Sequence, residues 1–144
     1  MISTRGRYAL RVMLDLAKNA KGDSYVPMRE VSARQGLSLK YMERIMPFLT
    51  KQNFVEGQHG KGGGYRLCRA PKDYTVGEIL RATESDLAPV SCLENGAVPC
   101  RRAGICPTLP MWKEYYDMTN RYFDGITLQK ILDETEAASA DKKQ

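Results

Sequence analysis

At 144 residues, with 42% hydrophobic and 27% charged side chains, the chain is long enough to bury a core and is bounded to one domain or one domain plus an appendage. It is not a disulfide-stapled miniprotein, and neither a cleavable leader nor an apolar run of membrane-spanning length is visible, so the expectation is a cytoplasmic protein with reduced thiols and no membrane contact. The net charge of +5 is uneven: residues 1–69 carry 13 Lys or Arg against 5 Asp or Glu, and residues 70–144 carry 9 against 12, which suits a DNA-facing first half and a sensing or assembling second half unless the basic residues are only a solvated face.

Tyr8, Ala9, Val12, Met13, Leu16 and Ala17 recur at helical spacing and predict a helix over 4–19, capped by Ser3 or Thr4, with Arg5, Arg7 and Arg11 mostly off its buried stripe. Gly22, Asp23 and Ser24 mark a turn, and Pro27 opens a short second helix with Met28, Val31 and Ala33 facing inward. Gly36 breaks that helix, Leu37 is a core residue, and Ser38 caps a third helix over about 39–52 with Met42, Ile45, Phe48 and Leu49 as its apolar positions. Two helices joined by a tight glycine turn make a helix-turn-helix. Pro47 removes a backbone hydrogen bond inside the third helix and is expected to kink it.

Residues 54–58 and 65–68 read as short strands flanking a tip with Gly60, Gly62, Gly63 and Gly64, which makes a hairpin. Straight after a helix-turn-helix, such a hairpin is the wing of a winged-helix domain. A nucleotide phosphate loop is the rival reading, but no helix N-terminus follows the glycines and no Lys-Ser/Thr pair closes them. Thr75 and Glu78 then form a capping box for a short helix carrying Val76, Ile79 and Leu80.

Three of the four cysteines, Cys92, Cys100 and Cys106, fall in a stretch punctuated by Gly96, Pro99 and Gly104, with seven and then five residues between them. These intervals fit neither the helix nor the strand period, so the stretch reads as a turning loop able to fold three thiolates onto one point. Soft thiolates select zinc, copper(I) or iron-sulfur clusters. The bland alternative is small buried side chains. Zinc sites and disulfide oxidoreductases commonly use Cys-x2-Cys pairs, which are absent here. Cys68, in the second wing strand, is expected to be a buried structural cysteine.

Thr108 is expected to cap a longer helix to about Phe123, with Pro110 in its first turn. Leu109, Met111, Trp112, Tyr115, Tyr116, Met118, Tyr122 and Phe123 cover more than one stripe, so this helix should pack one face on its own domain and the other on a second copy. Gly125 ends it, Thr127 restarts a last helix with Leu128, Ile131 and Leu132, and residues 136–144 are expected to be a disordered polar tail.

Gly6-Arg7-Tyr8-Ala9, Leu37-Ser38-Leu39-Lys40-Tyr41-Met42-Glu43, Gly60-Lys61-Gly62-Gly63-Gly64-Tyr65, the three loop cysteines and Ile126-Thr127-Leu128 together resemble the Rrf-two family of winged-helix regulators, and within it the IscR-like members that carry cysteines. The resemblance covers residues 3 to about 132. It implies a homodimeric transcription factor, a repressor acting on a palindromic double-stranded DNA operator, that senses iron-sulfur, redox or nitric-oxide status through a 2Fe-2S or 4Fe-4S cluster on Cys92, Cys100 and Cys106. Where such relatives have a histidine ligand or an acidic ligand near the N-terminus, this chain has Leu109 and Arg7, so the remaining ligand stays open among Glu84, Asp86, Glu94, water and a small thiol. Other members lack a cluster and answer to a partner protein or metabolite instead.

The expected architecture is thus mainly α with a small β-hairpin wing: a winged helix-turn-helix over 1–83, a cluster loop over 84–107, dimerisation and terminal helices over 108–135, and the tail. On the recognition helix, Arg44 and Glu43 have the chemistry to read guanine and cytosine edges, while Lys40, Tyr41, Ser38, Thr4 and Arg5 position the backbone. His59 and Lys61 extend that set at the wing. Trp112, Tyr115, Tyr116 and Tyr122 are the candidate dimer contacts. A thiol-dependent redox enzyme is the different-class alternative, and neither a Cys-His pairing near in sequence nor a cofactor fingerprint supports it.

Overall fold

Helix α1 (Thr4–Asn19) starts where the Ser3 hydroxyl accepts a hydrogen bond from the Gly6 amide, and it buries Ala9, Val12, Met13 and Leu16 as its spacing requires. The computed structural model describes residues 2–142, and α1 lies at their centre, packed against four other helices and the wing. Asp15 sits on the buried stripe, a place where a lone carboxylate is costly. It is paired: Arg34 donates to it at 2.8 to 3.2 Å and Gln35 at 2.9 Å, which staples α1 to the end of α2 (Met28–Gln35). Gly36 then leaves α2 at φ +65 and ψ +32, a left-handed turn that suits glycine. Two residues on, Ser38 accepts from the Tyr41 amide and starts α3 (Leu39–Lys51), which contains Pro47 and continues beyond it.

Strands β1 (Val55–Gln58) and β2 (Gly64–Leu67) pair antiparallel, from Val55 opposite Leu67 to Gln58 opposite Gly64. Val26, just before α2, adds a bridge to Tyr65 through bonds of 2.8 and 2.9 Å, so the wing is tied to the helix-turn-helix by backbone. Gly64 has φ +140, and a Cβ there would meet the Val26 carbonyl oxygen at 2.1 Å. No other residue type fits that crossing without moving the wing.

The capping box of Thr75 and Glu78 opens α4 (Val76–Glu84) as its sequence predicts. After the cysteine loop come α5 (Leu109–Asp124) and α6 (Leu128–Lys142). Backbone bonds from Val76 to Ile126 (2.8 Å) and from Leu128 to Tyr74 (3.1 Å) bind the starts of α4 and α6 together. Arg81 donates to Asn120 at 3.0 Å and Asp124 at 2.7 Å, clamping α4 to α5. One core gathers α1, α3, the wing base and Tyr74, and a smaller one joins Val76, Leu80 and Leu87 to Phe123 and Ile131. Among the described residues the architecture is therefore six α-helices and one two-stranded sheet, the winged helix-turn-helix with a long following helix that the sequence predicts.

Several expectations change in detail. Ala33 is exposed, and Met46 joins the α3 core while Phe48 is half-buried. Thr108 occupies the cap position of α5 without capping it, because its hydroxyl lies against Cys106 instead. Residues 136–142, expected to be disordered, continue α6: Ala137, Ala138 and Ala140 carry strong helix propensity onto a helix already anchored by Leu128. Lys143 and Gln144, the rest of that expected tail, lie outside the described residues.

Candidate nucleic-acid interface and cysteine loop

Ser38, Lys40, Glu43 and Arg44 are exposed along the first turns of α3, on the side away from Met42, Ile45 and Leu49. The Ser38 hydroxyl is engaged as the cap of that helix. Tyr41 is half-buried and meets Tyr8 edge-on with ring centroids 5.5 Å apart, so its ring braces α3 against α1. His59 and Lys61 are exposed at the wing tip. Thr4 is exposed and its hydroxyl accepts from Arg7 at 3.2 Å. Arg5 turns inward, donating to the Thr83 carbonyl at 3.1 Å through Nε.

Tyr74, which no spacing argument singled out, fixes the base of the wing. Its hydroxyl donates to the Phe54 carbonyl at 2.6 Å and accepts from the Cys68 and Arg69 amides at 3.1 and 3.0 Å. Burial pushes its pKa above the ordinary tyrosine value. The sequence holds no local signal for it, since it sits in an irregular connector after a one-turn 3-10 segment, Pro71–Asp73. The same is true of Asp15, whose partners on α2 are about 20 residues away.

In the loop, the Asp86 carboxylate accepts from the amides of Ala88 (2.9 Å) and Asn95 (2.8 Å), and a 3-10 turn, Ser91–Leu93, carries Cys92. Cys92 and Cys100 are exposed and Cys106 is half-buried, all as free thiols. The Cys106 sulfur lies 3.5 Å from the Thr108 hydroxyl, and that contact, helped by Arg102, holds its thiol below the ordinary cysteine range. Among the described residues, no three Cys, His, Asp or Glu side chains are gathered around one metal position. The donor chemistry of three solvent-reachable thiols on one irregular loop fits a soft-metal group, and closing that loop would have to gather them. Of the acidic candidates for a further ligand, Glu84 and Asp86 are already hydrogen-bonded and Glu94 is exposed. Cys68, expected to be buried, is exposed, because it follows the last residue of β2 where the strand leaves the core.

None of the α5 side chains is fully buried. Trp112 and Tyr116 are half-buried, while Met111, Tyr115, Met118 and Tyr122 are 53 to 66% exposed. A groove of about 760 Å³ runs along this helix, lined by Ile2, Leu87, Trp112, Tyr115, Met118 and Tyr122.

A family model described as Rrf2, iron-dependent transcriptional regulator, matches residues 2–134. The chain belongs to the Rrf2 family. It is 32% identical over 143 residues to the HTH-type transcriptional regulator IscR of Aliivibrio salmonicida, an alignment covering 99% of this chain and 83% of that one. Its fold is similar to that of T. potens IscR, with a TM-score of 0.75 and 31% identity over 96% of this chain and 90% of that one. It is also similar to CymR (YrzC), the global cysteine regulator of B. subtilis, with a TM-score of 0.72 and 30% identity over 91% and 95%. This Rrf2 chain is accordingly an IscR-like transcriptional regulator with a DNA-binding winged helix-turn-helix. IscR of Aliivibrio salmonicida and CymR of B. subtilis are regulators, and among the described residues of this chain no helix is long and apolar enough to cross a membrane.

Proposed function

We propose that this Rrf2 regulator acts in the cytoplasm as a homodimeric repressor of a palindromic operator, and that Cys92, Cys100 and Cys106 hold an iron-sulfur cluster through which it senses iron-sulfur, redox or nitric-oxide status. The carrying observation is the exposed row of Ser38, Lys40, Glu43 and Arg44 on α3, together with exposed His59 and Lys61 on a wing that backbone bonds tie to Val26 just before α2. Arg44 and Glu43 read base edges in the major groove; Lys40, Ser38 and Thr4 hold phosphates, with Tyr41 bracing them. His59 and Lys61 reach the flanking backbone or minor groove. A symmetric pair places two recognition helices about 34 Å apart, one turn of DNA. The apolar, solvent-facing side chains Met111, Tyr115, Met118 and Tyr122 support α5 as the dimer contact.

The cluster reading is supported by the family's description as iron-dependent and by three free cysteines in one loop. When bound, a cluster would supply a centre open to oxygen, nitric oxide and iron limitation. The residues' own part is to furnish thiolates, which the Thr108 contact favours at Cys106, and to balance their charge with Arg101 and Arg102. A cofactor-free, CymR-like repressor is the second reading, and the similarity in fold and sequence to CymR of B. subtilis supports it. Protein purified without air decides between them: visible absorbance with bound iron and sulfide, lost in each Cys→Ala variant of the loop, supports the cluster. Colourless, iron-free protein that still shifts its operator normally supports the cofactor-free repressor.

A further inference from the structure

Arg5 leaves the first turn of α1 toward the protein interior. Its Nε and Nη2 both donate to the Thr83 carbonyl, the former at 3.1 Å, while its guanidinium carbon lies 4.4 Å from the centroid of the Phe48 ring. Thr83 is in the last turn of α4, where carbonyls lack an intrahelical amide, so a cation there satisfies an orphan acceptor and meets the negative end of the helix. Phe48 belongs to α3, the recognition helix. A guanidinium donates in its plane and stacks on its face at once, whereas an ammonium has no such face.

Neighbouring contacts reinforce the joint. The Ser3 amide donates to Glu84 Oε1 at 3.0 Å, and the Ser3 hydroxyl donates to the same oxygen. Gly6 leaves room for that carboxylate, since a Cβ there would lie 2.3 Å from Oε1. Directly after Glu84, Ser85 turns the chain at φ +72 into the cysteine loop. Thr83 lies two residues before that turn, so Arg5 holds the end of α4 from which the loop departs with one edge and the recognition helix with its face.

Building on the reading of the cysteine loop as the sensing element, we infer that Arg5 is a positioning residue that couples this loop to α3, and is not a phosphate contact. The α3–α4 contact in the core and the α1 packing hold the fold without it. What Arg5 adds beside that packing is a direct link from the last turn of α4 to the Phe48 ring on α3.

The test uses the full-length, reduced protein. The alkylation rate of Cys106 is measured with and without saturating operator duplex, and binding to operator and to random duplex is followed over salt, for wild type, Arg5→Ala, Arg5→Lys, Phe48→Leu and the Arg5→Ala/Phe48→Leu double variant. Operator selects one arrangement of a loop linked to α3, so it should change the exposure of Cys106, and with it the alkylation rate, by about fivefold or more in wild type. Arg5→Ala and Phe48→Leu should each remove that change, the double variant should do no more than either, and Arg5→Lys should restore only part of it. Random-duplex salt dependence should be unaltered in Arg5→Ala. If Arg5→Ala does not fold, as a melt would report, Phe48→Leu carries the same comparison. A salt slope flattened by about one unit, with the operator effect on Cys106 intact, makes Arg5 a phosphate contact and overturns the inference. An operator effect that survives in both single variants overturns the coupling role of Arg5 and leaves the loop as a sensor. No operator effect in wild type overturns the inference together with the sensing role it rests on.

Discussion

The Tyr74 hydroxyl serves three backbone groups from Phe54, Cys68 and Arg69, and so closes the wing where its two strands return to the core. Removing it in Tyr74→Phe leaves the Arg69 amide to find another partner, at about 1 to 3 kcal/mol per unsatisfied group, while the Cys68 amide keeps its 3.2 Å bond to the Phe54 carbonyl. We predict a loss of about 1 to 3 kcal/mol in urea unfolding, with α1 and α5 helicity retained. Because burial raises this pKa, the folded state keeps the proton after the unfolded chain has lost it. The contribution is therefore level from neutral pH up to about 10, the ordinary tyrosine value, and stability falls as pH rises beyond that. Unfolding free energies measured between about pH 8 and 11 check the sign, and in Tyr74→Phe this share of the decline should vanish.

The cysteines differ at the same scale. The thiol of Cys106 is held down by the Thr108 hydroxyl and Arg102, whereas that of Cys68 is pushed up by what burial its sulfur has and by Glu56. At about pH 7 to 8 the larger thiolate fraction belongs to Cys106. Iodoacetamide labelling of the reduced, metal-free protein, read by peptide mass, should modify Cys106 ahead of Cys68, and Thr108→Val should narrow the gap. Equal rates in wild type would remove the proposed activation.

Among the elements, α3 carries the specificity argument. Lys40→Ala, if it loses a phosphate contact, should weaken operator and random duplex alike and flatten the salt dependence by about one unit. Arg44→Ala should instead lower operator affinity by roughly 1 to 3 kcal/mol and relax preference at one base position. Binding titrations over salt on specific and random duplexes separate these outcomes, and equal, salt-insensitive binding by all variants would exclude α3 as the reading helix. The wing belongs to the same unit because the Val26–Tyr65 bridge crosses at Gly64, so Gly64→Ala should displace the wing while leaving α3 intact.

For the whole molecule, the apolar outer side of α5 is the unfinished surface. Met118→Glu combined with Tyr122→Glu places charge at two positions that are 53% and 66% exposed, where a monomer would tolerate them and an interface would not. Sedimentation at micromolar concentration should show twice the chain mass for wild type and a single chain for this variant, with operator affinity lowered about 100-fold through lost bivalency. A wild type that is monomeric both free and on DNA would exclude this role for α5.

Helix periodicity, the glycine turn at Gly36, the Ser38 cap and the Thr75–Glu78 capping box are all legible in the amino-acid sequence, because each is a local device whose residues lie within one or two turns of one another. Hence the winged helix-turn-helix and the exposed row of Lys40, Glu43 and Arg44 follow from sequence alone. Long-range geometry is not legible in that way. Asp15 looks out of place on its stripe until Arg34 is folded against it, and Tyr74 and Arg5 take their meaning from carbonyls distant in the chain. Sequence periodicity likewise marks α5 as two-faced, but only the folded chain decides which of its side chains remain exposed. The cysteine intervals are legible as a loop, while the bond from the Asn95 amide to the Asp86 carboxylate, which closes the first part of that loop, is encoded by no spacing. Sequence alone determines what is set by neighbours along the chain. Tertiary structure decides which charges are paired, which hydroxyls are buried and which faces remain open, because those depend on segments that meet only after folding.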